Sequence, residues 1–103
     1  MEFQEFIMHA FQSVVSDDGS LKCTACIDGA DVAVVEVSFG EIQADMEQAA
    51  GKLSEGLMPA YEKAEETGKA PSVKVALVRG GKETDYVFEM AGDSLVSTEP
   101  IEF

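Results

Sequence analysis

The sequence has no tryptophan, one histidine, two cysteines, three prolines, and seven lysines and arginines against twenty aspartates and glutamates. Each shortage excludes something. With so few cations and a net charge of −13, the surface repels nucleic-acid phosphates and anionic lipid, so neither is expected as a partner. A lone histidine, His9, cannot build a Ser-His-Asp triad without an orienting acid from elsewhere, and no G-x-S-x-G elbow is present. Two cysteines are too few for a disulfide scaffold, and a reducing cytoplasm is the expected compartment. No apolar run approaches the roughly 20 residues of a membrane span. Glu2 and Glu5 stand where a signal peptide would carry basic residues.

What is present fits one domain over residues 1–103, with enough apolar residues for a single core. The acidic excess is spread along the chain rather than gathered in a tail, as expected of a solvated surface that favours solubility or a basic protein partner.

Residues 2–16 have the spacing of an amphipathic helix, with Phe3, Phe6, Ile7, Ala10, Phe11, Val14 and Val15 on one stripe. Asp17-Asp18-Gly19 supplies turn chemistry but lacks the further acids of a calcium loop. Residues 21–27 and 31–37 predict two strands joined by Asp28-Gly29, a two-residue hairpin turn. Ser38 and Glu41 fit a capping box, with Val37 and Ile42 as its hydrophobic staple. The helix they start runs to about Thr67, where Gly68 suits the C-terminal cap. Pro59 predicts a kink or break near residues 55–58, and Gly51 and Gly56 weaken the helix further.

Residues 72–79 and 84–90 flank Gly80-Gly81. A two-residue turn there sets Val75 opposite Tyr86 and Val73 opposite Phe88, which sorts both strands into one apolar and one polar face. Gly92-Asp93 predicts another turn, leading to a fifth strand over Leu95–Thr98 with Leu95 opposite Met90. Pro100 ends it. The fold class expected is α+β: a mostly antiparallel five-stranded sheet with two helices, in the order α-β-β-α-β-β-β. In the assumed registers Ala33, Val35, Val37, Val78 and Val87 fall on the second sheet face, and one helix is expected on each face. This element order is similar to that of the profilin-like and roadblock-type domains, a resemblance of topology that implies no function.

Cys23-Thr24-Ala25-Cys26 is the one motif with chemistry in it. Within a strand, residues three apart point to opposite faces, too far apart for a disulfide. A zinc site would need further ligands. The expectation is therefore two reduced thiols, Cys23 in the core with Leu21 and Ile27 and Cys26 on the opposite face. Redox or metal use of the pair is the alternative. Arg79-Gly80-Gly81-Lys82 is expected to be a solubilising hairpin tip. Met46, Met58 and Met90 with Tyr61, Tyr86 and Phe88 could fill the core or line an adaptable pocket between helix and sheet. Glu36 interrupts the Val32–Val37 run beside the helix cap, as a strand-end acid reaching solvent.

With no catalytic constellation and no cofactor expected, the chain is read as a non-catalytic acidic binding or adaptor module. It docks a protein partner and forms a homodimer, with Val35 and Val37 as candidate partner-binding residues. The strand Val32–Val37 is the place for a second chain to add if it lies at a sheet edge. The alternatives are a small metal- or thiol-redox protein using Cys23 and Cys26, or a small-molecule binder with a helix-sheet pocket.

The phase assigned to the first helix is testable. Phe6→Ala or Phe11→Ala is expected to cost about 3–5 kcal/mol, and His9→Ala less than about 0.5 kcal/mol. Urea denaturation that ranks His9 above either phenylalanine would reject that phase.

Overall fold

A computed structural model describes residues 1–13, 18–92 and 94–97. Helix α1 spans Phe3–Gln12, and strands β1 and β2 span Gly19–Ile27 and Ala30–Ser38. Helices α2 and α3 span Phe39–Ala44 and Met46–Thr67. Strands β3, β4 and β5 span Ser72–Arg79, Lys82–Ala91 and Ser94–Ser97. The sheet is antiparallel throughout, in the order β2-β1-β3-β4-β5. The expected α-β-β-α-β-β-β order is present, with its second helix divided in two. Val14, Val15 and Asp17, the Gly92-Asp93 turn beyond Gly92, and residues 98–100 lie outside the described residues.

The turns act as their residues require. Asp28 and Gly29 have φ of 56° and 80°, and Gly80 and Gly81 have 60° and 79°. Two successive positive φ values make the turn whose twist matches the strands it joins. They fix the β3–β4 register, with Val75 opposite Tyr86 and Val73 opposite Phe88, and Met90 lies opposite Leu95.

The first hairpin departs from the simple register. Cys26 pairs with Asp31 but Ala25 pairs with Ala33, so Val32 is an extra residue in β2, a β-bulge. One extra residue reverses the alternation beyond it. Cys23 therefore meets Val35 and Leu21 meets Val37, and all four are buried in the core. The placement of Ala33, Val35 and Val37 on the second face is thereby corrected. The same shift turns Val34 and Glu36 out to solvent. Val78 and Val87 do lie on that outer face, since their strand neighbours Leu77 and Phe88 point into the core.

Both long helices pack on the same face, which corrects the expectation of one on each. The Phe6 ring stands 5.2 Å from Phe88 and 4.9 Å from Tyr86, and Phe3 meets Phe88 edge-on at 5.3 Å. That seats α1 over β4, with β5 beside it, while α3 crosses β2 and β1. Five strands about 4.8 Å apart make a sheet roughly 19 Å wide, and two helices roughly 10 Å apart cover that width. Among the described residues no helix packs on the outer face, which carries Lys22 beside Glu36 and Lys74 3.9 Å from Asp85.

The capping box at Ser38 forms as expected. The Glu41 amide donates to Ser38 Oγ at 3.2 Å, and the Ser38 amide donates to Glu41 Oε2 at 2.9 Å. The helix then breaks at Asp45, not near Pro59. Asp45 is extended, with φ −158° and ψ 98°, and its carboxylate accepts from the Gln48 amide at 3.2 Å, capping α3. Pro59 lies inside α3 on an exposed position. The carbonyl it leaves without a helical donor belongs to the exposed Glu55 and is open to water, while Leu53, Leu57 and Ala60 hold the helix to the sheet on both sides.

The two α3 glycines differ in surroundings. A Cβ added at Gly56 would lie 2.6 Å from Val35 Cβ, whereas one at Gly51 would meet nothing within 4 Å. Gly51→Ala is expected to stabilise by about 0.5–1 kcal/mol through helix propensity. Gly56→Ala is expected to destabilise by about 1–3 kcal/mol, because overpacking outweighs that gain. Urea midpoints moving the same way in both variants would refute the close seating of α3 on β2.

Candidate docking groove

Because both helices share one face, a groove runs between them. Its volume is about 430 Å³, and Phe3, Ile7 and Met8 of α1 face Leu53, Leu57, Met58 and Tyr61 of α3 across it. At one end it continues into a smaller hollow of about 310 Å³ that adds Glu2, Met90 and Leu95 and shares Phe3 and Tyr61. Phe3, Leu53 and Leu57 are buried and form the floor. Met8 and Met58 form the rims, 61 % and 51 % exposed, although they are among the larger apolar side chains of the chain. Methionine on opposing rims makes a surface that can re-pack around different apolar shapes.

The helix phase explains this placement. Ser54, Met58 and Tyr61 recur along the α3 flank that faces α1, and seven-residue spacing puts Glu47 and Glu65 on the same flank. The groove itself is lined by apolar and neutral polar side chains, and the two glutamates lie beyond its α3 residues along that flank. Tyr61 is half-buried, and its phenol is pushed above its ordinary value by that burial, with the nearby Cys23 acting in the same direction.

Of the residues considered for an apolar pocket, Met58, Tyr61 and Met90 line the groove. Phe88 is core, Tyr86 is half-buried beneath α1, and Met46 is exposed outside the groove. Met8 was missed. It sits one residue past Ile7, just off the buried stripe of α1, and an exposed apolar residue flanking an amphipathic stripe was the signal available for it. Val35 and Val37, the candidate partner-binding residues, are 7 % and 0 % exposed beneath α3 and form no part of the surface.

Cys23 and Cys26 are free thiols on opposite sides of the sheet. Burial pushes Cys23 up from 9.0 to about 12, so it is a neutral thiol and a poor nucleophile at neutral pH. The Cys26 thiol donates to Asp31 Oδ1 at 3.1 Å, and that bond, followed by desolvation and the Asp31 charge, raises its pKa too. Among the described residues no three His, Cys, Asp or Glu side chains gather as a metal-holding group. His9 is exposed on α1, and Arg79 at the hairpin tip donates to Ser13 Oγ at 3.4 Å. No helix among the described residues is long and apolar enough to cross a membrane. No family model matches the chain, and neither a curated protein nor a solved structure matches it.

The Cys23 environment sets an alkaline limb of stability. The folded state holds the thiol protonated, so its contribution is fully present below the unfolded value near 9.0 and is lost as pH climbs toward 12. Over that window the cost is up to about 1.4 kcal/mol per pH unit. Cys23→Ala is expected to flatten the fall in urea-measured stability between pH 9 and 10.5, against a uniformly lower baseline. An unchanged slope would show that Cys23 is not the group responsible.

Proposed function

We propose that this protein is a non-catalytic acidic binding module that docks a protein partner in the groove between α1 and α3 and works as a homodimer. The observation that carries this reading is the pair of exposed methionines, Met8 and Met58, on opposite rims of an apolar floor. An amphipathic segment lays its apolar stripe into such a groove, and a surface carrying −13 favours one with a basic outer face. The groove volume also supports a second reading, a small apolar ligand, because it falls in the range of about 300–1,000 Å³ of small-molecule pockets.

Methyl-labelled methionine gives the test. Titration with a Leu/Lys amphipathic helical peptide is expected to shift the Met8 and Met58 methyl signals and leave Met46 unmoved. Met58→Glu should weaken binding about tenfold, equivalent to roughly 1.4 kcal/mol. A Leu/Glu peptide with the same apolar stripe should not bind. Shifts produced only by a fatty acid would favour the small-ligand reading, and no shift with either probe would reject the groove as a docking site.

A further inference from the structure

The two edges of the sheet are not equivalent. β5 has four residues, and its outer side is occupied: Glu2 bridges to Val96, and the Ser97 amide donates to the Met1 carbonyl at 2.9 Å. β2 has nine residues, and among the described residues β1 is its one strand neighbour. Its outer side therefore offers a row of backbone donors and acceptors to another strand.

The α3 flank turned away from α1 lies toward that edge, since α3 lies over β2 and β1 while α1 lies over β4; α2 stands beside its first half, where Glu41 and Ala44 border an open hollow with Lys52 and Glu55 that a second helix would have to enter. Helical spacing puts Lys52, Glu55, Pro59, Lys63 and Glu66 along it, and all five are exposed. Their order is self-complementary. Lys52 stands seven residues before Pro59 and Glu66 seven after it, while Glu55 stands four before and Lys63 four after. A second α3 laid antiparallel about Pro59 sets every lysine of this flank against a glutamate. Gly56, one turn before Pro59, rests on Val35. The adjacent Val34, 55 % exposed at the sheet edge, therefore falls near the same axis.

We propose that a second copy of this chain adds antiparallel to β2 about a two-fold axis passing near Pro59 and Val34, so that Lys52 meets Glu66 and Glu55 meets Lys63 of the other copy. The result is a continuous ten-stranded sheet with the two α3 helices side by side and both grooves facing outward. A two-fold interface must be self-complementary, and this flank satisfies that although the chain as a whole repels itself. Lys52 already lies 3.1 Å from Glu41 of its own chain, but an exposed pair of this kind is weakly held and leaves the ammonium able to reach a second carboxylate. The assignment rests on the homodimer reading above.

Sedimentation of the wild-type protein in about 0.15 M salt, where long-range repulsion is screened, is expected to show a dimer at tens of micromolar. Lys52→Glu with Lys63→Glu makes the flank wholly acidic, and Glu55→Lys with Glu66→Lys makes it wholly basic. Each double variant should self-associate at least tenfold more weakly, and an equimolar mixture should form a one-to-one heterodimer. Wild-type protein that stays monomeric overturns both the homodimer reading and this surface. A wild-type dimer with both variants still dimeric overturns the surface alone, and a mixture that stays monomeric overturns the charge register. Amide exchange in the wild-type protein needs no variant: outward-facing β2 amides should slow as concentration rises, and exchange independent of concentration overturns the strand pairing.

Discussion

The extra residue at Val32 decides the arrangement of the rest of the molecule. Without it, the Asp28-Gly29 turn would align Cys23 with Val34 and Leu21 with Glu36, carrying a carboxylate into the apolar layer at a cost of several kcal/mol. With it, Val35 and Val37 meet Cys23 and Leu21, and Glu36 reaches water. The apolar layer then runs unbroken from Val37 through Leu21, Leu77 and Val75 to Phe88. One continuous apolar face calls for helices on that face alone, and the groove exists because the two helices meet there.

That layer also sets the helix positions. Gly56 lets α3 approach Val35 closely enough to cover the β2 end of the sheet. Three phenylalanine side chains, Phe3, Phe6 and Phe88, fill the space at the other end. A helix seated through glycine and a helix propped on aromatic rings leave a depression between them, floored by Leu53 and Leu57 and rimmed by methionine.

Much of this was legible in the amino-acid pattern, and the parts that were not have specific causes. The β3–β4 register could be read because a two-residue loop at Gly80-Gly81 sets one pairing and the alternation on both sides of it agrees. The phase of β2 could not, because Val32, Ala33, Val34 and Val35 are all apolar, so a one-residue slip leaves the pattern intact. Glu36 was the one residue whose solvation separated the two registers. The break in the long helix was sought at Pro59, where the rule for proline points. A proline on the water side of a well-anchored helix is tolerated, while Asp45 ends one helix and caps the next with a single carboxylate. The groove was half legible: Met58, Tyr61 and Met90 were singled out, but their partners on α1 depended on the two helices sharing a face, which no local pattern encodes.

The pairing of β1 with β3 has a kinetic consequence. The β1–β2, β3–β4 and β4–β5 contacts are all between strands adjacent in the chain, so each hairpin can zip from its own turn in microseconds. β1 and β3 meet only after α2 and α3 have been brought across the sheet. Their pairing carries the large loop-closure entropy of the fold, and it welds two locally formed halves into one layer. The topology therefore places its largest loop closure at the centre of the sheet, where Leu21 pairs with Leu77 and Cys23 with Val75, and its short-range closures at the turns that fix the registers.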